Sequence, residues 1–577
     1  MVYSMSLKLT ASELEERRHQ LNRAGLHAWL SPIVLLVVAC LYRRYLHSAL
    51  FPSKSPLSSS GPRRVSQVQL FFRRATWILQ TTYIPEFGPL SVQLLALTYA
   101  GWLLYLTFHN TGDDYMHLTK AFGHVAISQL PLHYLLSLKH TTYSPLGWAT
   151  GLTHERLNAV HRMFGRIVHA FLAAHAVLYL RFFIKLGILP KRIKDPDVRF
   201  GILAFWMFNF LGLLSLPVVR RKMYHFLFYR SHVLLSALVI PILWAHVPYT
   251  RFYVAQVAAI WVLGGWLRSM SAKTNVQELR CENIPGTDLV RVRFLVDKTS
   301  ALARATPGQH VYVRSRGVIG PKTPFSIANV QQYSAKDGQV EVMLVLRAMG
   351  GPGTSFLESL SKSKHELKEA EAAAAEEIQI EGPYGEAGVY MPAILRSEYG
   401  GPALLVAGGI GATYILPIYI ALMNSRRRLR RAPEGGGARI KMIWLVKTMA
   451  DARWGLVLLM SCLREGEDGL QLDVDVYITT VSSSSSSAMS ADDLDLQLLK
   501  RQGLNIHQLG HRPNLGPIID GVFGGERVSP DMEDEVTVFV CGPRSLSRNV
   551  RNIVGQRVIS QGKRARWFEE VFGFGGS

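Results

Sequence analysis

The chain has 577 residues, of which 48% are hydrophobic and 18% are charged, and its formal net charge is +22. The hydrophobic content is too high for an ordinary soluble protein, and the charged content is too high for a bundle lying wholly in a membrane. Four widely spaced cysteines exclude a disulfide framework and a cysteine-based metal motif, so we expect a membrane-embedded part joined to a soluble part.

Seven apolar stretches in the first half have about the length that a bilayer requires. They lie at 26–42, 88–108, 120–138, 161–180, 200–219, 232–249 and 252–268. Basic residues follow the first and fifth stretches, which predicts cytoplasmic loops there, an exterior N-terminus and a cytoplasmic C-terminal half. One basic loop, 181–199, disagrees with this topology. Membrane topology explains the net charge better than nucleic-acid binding does.

Two of these stretches carry histidines at one spacing, His161 with His175 and His232 with His246. Fourteen helical residues rise about 21 Å and return to within about 40° of the same face, so each helix offers an imidazole near each membrane surface. Parallel helices would pair His161 with His232 and His175 with His246, as in bis-histidine haem binding. A lone histidine in an apolar helix is more often a packing residue, but two equal pairs favour haem ligation.

The pattern changes to strands after residue 270. Apolar alternation predicts strands at 289–295, 308–313, 323–329 and 340–346. A glycine-rich turn at 350–357 opens a helix and suits a phosphate group, and a surface helix is predicted over 362–377.

Strands and helices alternate from residue 402 onward. Buried strands are predicted at the start of 403–412, at 440–446 and at 536–543, and the first and last run into glycine turns. This alternation predicts a doubly wound sheet with ligands at the carboxyl ends of its strands. We expect no regular structure at 426–437 and around 482–487.

These motifs, in this order, resemble the fungal ferric reductase and NADPH oxidase superfamily. They are 152–166, Pro307-Gly-Gln-His310, Pro324-Phe-Ser-Ile-Ala-Asn329, Gly353-Thr-Ser355, Glu381-Gly-Pro-Tyr-Gly385, Ala407-Gly-Gly-Ile-Gly-Ala412, Cys541-Gly-Pro543 and Glu569-Glu-Val-Phe-Gly-Phe574. The resemblance covers roughly residues 88–577. One departure is Thr323, where the family usually has histidine.

The resemblance implies a multi-domain fold class: an α-helical transmembrane bundle of about seven spans, a ferredoxin-reductase-like β-barrel FAD domain and an α/β Rossmann-like NADP domain. The predicted boundaries are 1–87, an N-terminal segment with one span and a basic cytoplasmic loop, then 88–269 for the haem domain, 270–395 for the FAD domain and 396–577 for the nucleotide domain.

The resemblance also implies the site residues. Haem iron would be held by His161, His175, His232 and His246. The flavin would be bound by Thr323, Pro324, Phe325, Ser326, Arg347, Gly353, Thr354 and Ser355. The nicotinamide nucleotide would be bound by Gly382, Pro383, Tyr384, Gly385, Gly408, Gly409, Gly411, Cys541, Gly542, Pro543 and Arg512. Cys541 and Phe574 would be catalytic, with Phe574 covering the flavin ring. The Arg512 guanidinium suits a 2′-phosphate, which favours NADPH over NADH.

The implied function is a transmembrane metalloreductase. It would pass electrons from cytoplasmic NADPH through FAD and two haem b groups to Fe(III) or Cu(II) on the far side of the membrane. An NADPH oxidase that forms superoxide from O2 fits the same motifs, and a non-enzymatic membrane scaffold is a third hypothesis, supported only by Thr323. The expected location is the plasma membrane, with the endoplasmic reticulum membrane as the alternative; any partner subunit stays open.

Overall fold

The computed structural model describes residues 3–5, 9–46, 67–84, 87–138, 144–223, 227–270, 273–274, 276–315, 323–333, 338–348, 378–396, 401–430, 439–464, 471–480, 491–523 and 535–570. The chain forms two compact units. The N-terminal unit contains Met1–Ser58 and Leu79–Ser271, and the C-terminal unit contains Ser59–Ile78 and Ala272–Gly573. The finer four-part division stays a prediction.

Helices make up most of the described chain before residue 271. They are α1 (Ala11–Leu41), α2 (Gln67–Thr81), α3 (Leu90–Phe108), α4 (Tyr115–Ser128), α5 (Leu130–Leu135), α6 (Pro145–Thr150), α7 (His154–Lys185), α8 (Leu189–Arg192), α9 (Pro196–Leu214), α10 (Pro217–Lys222), α11 (Tyr229–His246) and α12 (Arg251–Met270). A short hairpin of β1 (Tyr83–Ile84) and β2 (Gly88–Pro89) precedes α3. Helices therefore occupy all seven predicted apolar stretches.

Four of the described helices are long and apolar enough to cross a membrane, namely α1, α3, α7 and α9. The predicted number of seven spans is therefore not confirmed. The stretch at 120–138 divides into α4 and α5 because Pro131, in the first turn of α5, has no N–H to continue the helix.

A buried polar junction ties the first helices of the N-terminal unit together at this division. The Gln129 side chain donates to the carbonyl of Ala28 (2.7 Å), and the Tyr99 hydroxyl donates to Gln129 (2.6 Å). These bonds satisfy polar groups that would be costly to bury alone. The apolar core of this unit surrounds the junction, whereas side chains such as Val34 and Val38 point outward, as a lipid environment permits.

The first part of the C-terminal unit is an antiparallel sheet. Its strands are β3 (Lys273–Thr274), β4 (Gln277–Asn283), β5 (Leu289–Asp297), β6 (His310–Ser315), β7 (Thr323–Gln332), β8 (Gln339–Arg347) and β9 (Ile378–Tyr384), in the order β3-β9-β6-β7-β8-β5-β4. The edge strands β3 and β4 follow one another in the chain. The four strands predicted in this region are confirmed, because alternating side chains such as those of β5 bury one face against a core.

The second part is a parallel sheet in the order β13-β12-β11-β10-β14-β15. Its strands are β10 (Ala403–Gly408), β11 (Ile440–Val446), β12 (Val474–Ile478), β13 (Leu504–Gln508), β14 (Glu535–Cys541) and β15 (Arg564–Glu570). Its helices are α13 (Ala387–Arg396), α14 (Ala412–Arg430), α15 (Arg453–Arg464), α16 (Ala491–Arg501), α17 (Leu515–Phe523) and α18 (Arg544–Gln561). Apolar cores cover both faces of the sheet, which confirms the predicted doubly wound architecture.

One stretch differs from its prediction. Residues 426–430, expected to lack regular structure, continue α14 to Arg430 because arginine is a good helix former. The rest of that stretch, the serine run at 482–487, the turn at 350–357 and the surface helix at 362–377 lie outside the described residues.

Candidate cofactor sites

Each of the four predicted haem ligands has its Nδ1 atom against an oxygen acceptor. The distances are 3.2 Å from His161 to the carbonyl of His133, 2.8 Å from His175 to that of Thr119, 2.7 Å from His246 to that of Asp197, and 3.4 Å from His232 to the Ser215 hydroxyl. Ser215 donates its own proton to Leu211, so its oxygen can accept from His232. An Nδ1–H that donates in this way leaves Nε2 as the ring nitrogen available to a metal.

The rings of His161 and His232 are neighbours, with their centroids 6.5 Å apart and their planes at 71°. An iron atom held by two imidazoles, with metal–nitrogen bonds of about 2 Å, separates the Nε2 atoms by about 4 Å and the ring centroids by about 6 Å. The spacing and the donor set of this pair therefore fit a single bis-histidine iron.

Two glycines make room for the second pair, His175 and His246. A Cβ on Gly123 would lie 2.6 Å from ring atoms of His175, and a Cβ on Gly201 would lie 2.7 Å from His246. Any side chain at either glycine would therefore displace a predicted ligand.

A fifth histidine lies beside the first pair. The ring of His133 stacks on that of His161, with centroids 4.2 Å apart and planes at 7°. Its buried Nδ1 has no hydrogen-bond partner among the described residues. Its position inside an apolar stretch is the one signal that the sequence offers for a functional role.

The predicted flavin residues open strand β7. Thr323, Pro324, Phe325 and Ser326 pair in turn with Val313, Tyr312, Val311 and His310 of β6. Thr323 and Ser326 are buried, and the Thr323 Oγ1 atom has no hydrogen-bond partner within the described part of the chain. Two hydroxyl groups thus lie at the start of one strand, three residues apart.

His310 lies between this strand and the end of β9, where the predicted residues Gly382, Pro383, Tyr384 and Gly385 are found. It pairs with Ser326 on one side and Tyr384 on the other. Its ring is 6.3 Å from that of Tyr384, and a Cβ on Gly385 would lie 3.1 Å from its Nδ1 atom. The sequence motif contains His310, but nothing in the sequence marks its central position.

Two glycine turns meet at the carboxyl ends of β10 and β14, where the strand order of the parallel sheet reverses. A Cβ on Gly408 would lie 2.7 Å from Pro543, and one on Gly542 would lie 3.0 Å from Gly408. Gly411 approaches the backbone of Cys541 and Gly542 just as closely, and the indole of Trp444 donates to the Gly409 carbonyl (3.1 Å). A reversal point of this kind is where doubly wound sheets bind nucleotides.

Cys541 is fully buried at this point, and Glu570 of β15 is opposite it in register. Burial raises the pKa of the Cys541 thiol well above its ordinary value, and the nearby Glu570 carboxylate raises it further. The thiol therefore remains protonated near neutral pH, and the protonated form is a weak nucleophile.

Aromatic residues that the sequence does not single out belong to the same apolar core as Cys541. The hydroxyl groups of Tyr390 and Tyr414 are hydrogen-bonded, and Tyr390 lies 4.1 Å from Phe568 between ring centroids. Phe568 also stacks on Phe539, at 5.1 Å. These residues come from two helices and two strands, so only the folded chain brings them together.

The two predicted arginines lie at different edges of this region. Arg347 forms an ion pair with Asp288 (Nε–Oδ2 3.2 Å), and its Nη2 atom is 3.9 Å from the position a Cβ on Gly409 would take. Arg512 is exposed and donates to the Ser545 hydroxyl (3.2 Å), two residues beyond Pro543. Gly353, Thr354, Ser355 and Phe574 lie outside the described residues.

Three family models match the chain in succession. They are described as "Ferric reductase like transmembrane component" at residues 122–243, "FAD-binding domain" at 273–388 and "Ferric reductase NAD binding domain" at 403–555. The first matched range contains His161, His175 and His232 and ends three residues before His246.

Curated fungal proteins are similar over most of the chain. Ferric reductase transmembrane component 6 of Saccharomyces cerevisiae is 24% identical over 78% of this chain and 60% of its own length. A probable metalloreductase of Candida tropicalis is 26% identical over 74% of this chain and 68% of its own length. Ferric/cupric reductase transmembrane component 2 of Schizosaccharomyces pombe is 21% identical over 78% of this chain and 80% of its own length. The chain thus spans less than two thirds of the first of these relatives.

Proposed function

Because the chain belongs to the fungal ferric reductase family, we propose that this integral membrane protein is a metalloreductase. It passes electrons from cytoplasmic NADPH through FAD and two haem groups to a chelated metal, Fe(III) or Cu(II), on the far side of the membrane. The observation that carries the proposal is the pair His161 and His232, whose ring centroids lie 6.5 Å apart. The same chain has FAD-binding and NAD-binding domains.

The four histidines hold the two iron atoms, His161 with His232 and His175 with His246. Their Nδ1 contacts fix the ring orientation and leave Nε2 for the metal. With two protein ligands in addition to the haem nitrogens, neither iron would have a position for a substrate, so these sites would transmit electrons rather than bind the acceptor. With the inside negative, outward movement of one electron gains about 2.3 kcal/mol per 100 mV.

The C-terminal unit binds the flavin and the nucleotide, which together supply hydride acceptance and one-electron release when bound. Thr323, Ser326 and Arg347 would hold the flavin together with Gly353, Thr354 and Ser355, and Phe574 would cover its ring. The glycine turns at 408–411 and 541–543 receive the nucleotide backbone, and Arg512 binds its 2′-phosphate. Cys541, in its protonated form, and Phe574 would be the residues at the reacting rings of the two cofactors.

The test uses isolated membranes that contain the full-length protein. NADPH should produce a reduced haem spectrum, and Fe(III) chelate should then reoxidise it while a ferrous chelator gains absorbance. Superoxide in place of ferrous product would make the protein an oxidase. A haem spectrum that NADPH leaves unchanged would overturn the proposal. Subcellular fractionation checks the proposed plasma-membrane location against the endoplasmic reticulum.

A further inference from the structure

Helix α2 precedes the membrane-length helix α3 in the chain, yet most of it belongs to the C-terminal unit, where one of its faces packs on β15 and α18. Trp77 is only 8% exposed, and its ring centroid lies 6.0 Å from that of Trp567 in an edge-on contact. Arg73 donates to the carbonyl of Gly562 (3.3 Å). A Cβ on Gly562 would lie 2.6 Å from Leu70, so the helix and the loop before β15 fit closely.

The surface of β15 and α18 on which this face of α2 packs is stabilised by contacts of its own. The Trp567 indole donates to Glu569 (3.1 Å), and Arg551 of α18 both pairs with Glu569 and lies 5.4 Å from the Trp567 ring. A Cβ on Gly555, also on α18, would lie 2.8 Å from Trp77. The contact of α2 with β15 and α18 is therefore a fitted interface rather than a loose one.

The neighbouring face of α2 is apolar and exposed. Val68 is 61% exposed, Phe71 67%, Phe72 63% and Ile78 40%. At about 100° per residue these four side chains fall within about 120° of the helix circumference. We call them the α2 apolar stripe. Aromatic side chains exposed side by side mark an interaction surface rather than an ordinary solvated face.

Charge and chain length indicate what covers this stripe. Residues 43–85 contain Arg43, Arg44, Lys54, Arg63, Arg64, Arg73 and Arg74 and no acidic residue. From Thr81 the chain reaches the start of α3 at Leu90 in nine residues, which span about 30 Å at most when fully extended. A basic segment that leads directly into a membrane-length helix is attracted to anionic lipid headgroups.

We propose that the α2 apolar stripe inserts into the headgroup region of the cytoplasmic leaflet, which is rich in anionic lipid. Helix α2 then binds lipid with one face and the nucleotide-binding part of the chain with the other. This interaction is separate from electron transfer and does not depend on which acceptor the protein uses.

Photo-crosslinking of the purified full-length protein tests the proposal directly. Phe72→p-benzoyl-phenylalanine is prepared in bilayers of phosphatidylcholine and phosphatidylserine, with Leu70→p-benzoyl-phenylalanine as the matched control on the packed face. Mass spectrometry should find lipid adducts at position 72 and peptide adducts, from the region of Gly562, at position 70. Adducts of position 72 with any protein segment instead of lipid would overturn the proposal.

Cysteine accessibility gives a second measurement that needs no unnatural amino acid. In the same bilayers a charged maleimide should label Phe72→Cys several-fold more slowly than Thr76→Cys, which lies on the exposed polar side of α2. Peptide mapping separates these sites from the four native cysteines. Equal labelling rates at the two positions would reject lipid insertion, whichever adducts the crosslinker gives.

Discussion

At the scale of single residues, Thr323 combines two opposing effects. Its buried hydroxyl has no hydrogen-bond partner among the described residues, and a buried hydroxyl that lacks any partner costs about 1–3 kcal/mol. A flavin that accepts or donates a hydrogen bond there would remove this cost on binding. The departure from the family's histidine thus need not abolish flavin binding.

Thr323→Val should therefore raise or preserve the thermal stability of the flavin-free protein and lower its flavin content. Valine keeps the shape of threonine and removes only the hydroxyl group. Flavin per haem in the purified variant and the unfolding temperature of the apoprotein measure the two effects. Thr323→Ser, which keeps the hydroxyl, is the control, and Thr323→His should bind flavin at least as well as wild type. Undiminished flavin in the valine variant would show that the hydroxyl is not used.

We expect His133 to affect the spectrum and redox behaviour of the proposed inner haem without being a ligand of its iron. His133→Ala removes the stacked ring but keeps the carbonyl that accepts from His161. We expect both haem groups to remain and the signal of the inner one to change, because the His161 ring gains rotational freedom. Electron paramagnetic resonance and redox titration measure this change. His169→Ala, whose ring packs against Gly212, is the control. Signals identical to wild type would exclude a positioning role.

The raised pKa of the Cys541 thiol makes the free energy of unfolding depend on pH in the alkaline range. Its pKa is raised in the folded chain, so the unfolded chain loses this proton first, above about pH 8.5. Above that pH the folded state binds more protons, and this one group lowers the free energy of unfolding by up to about 1.4 kcal/mol per pH unit. Denaturant titrations between pH 7 and 10 should show a smaller decline in Cys541→Ser than in wild type. Parallel curves for the two proteins would contradict the assignment.

At the scale of elements, a charged network ties the amino-terminal parts of β11 and β12 together. The buried Lys441 ammonium lies 2.6 Å from Asp473 and 2.7 Å from Asp475, and Asn505 of β13 donates to Asp475 (2.9 Å). Burial alone would raise the pKa of Asp475, but hydrogen bonds from Lys441 and Asn505 outweigh it, so the pKa lies below its ordinary value.

Lys441→Met should destabilise the C-terminal unit by about 3–5 kcal/mol, because it leaves a buried carboxylate without its counter-ion. The stabilisation from the lowered pKa of Asp475 is present above its unfolded value of about 3.9 and is lost as the pH falls through the folded value. Urea unfolding at pH 7 and pH 4 measures both effects.

The control variant, Arg439→Gln, removes a half-exposed partner of Asp473 and should lower the free energy of unfolding by less than about 1 kcal/mol. Similar losses in the two variants would show that burial of the pair is unimportant.

Local patterns predict these elements well and the contacts between them poorly. The run of β11, apolar except for Lys441, and the alternation in β5 predict strand type and boundaries within a residue or two. The histidine spacing depends only on helix geometry, so it identifies candidate ligands without a structure. The positions of His310, Phe568 and Glu570, by contrast, depend on strand pairing. The packing of Trp77 on Trp567 has no local signature at all, because the two residues are far apart in the chain.

At the scale of the whole molecule, the proposed iron ligands and the proposed nucleotide site belong to different compact units. His161→Ala and His232→Ala should therefore abolish the inner haem and all electron flow across the membrane, while NADPH still reduces the flavin. Haem content, metal reduction and flavin bleaching under anaerobic conditions give the three measurements, with His169→Ala as the control. Full haem content in both variants would refute the pairing of these two histidines.

The contact of α2 with β15 forms only late in the synthesis of the chain. Trp77 and Trp567 are 490 residues apart, and at about 5–20 residues per second a ribosome needs about 25–100 s to make the second after the first. The membrane-length helices α3, α7 and α9 are all synthesised within that interval. The site for the indole is thus completed only after nearly the whole chain has been translated, so protection of α2 from proteases marks a finished polypeptide.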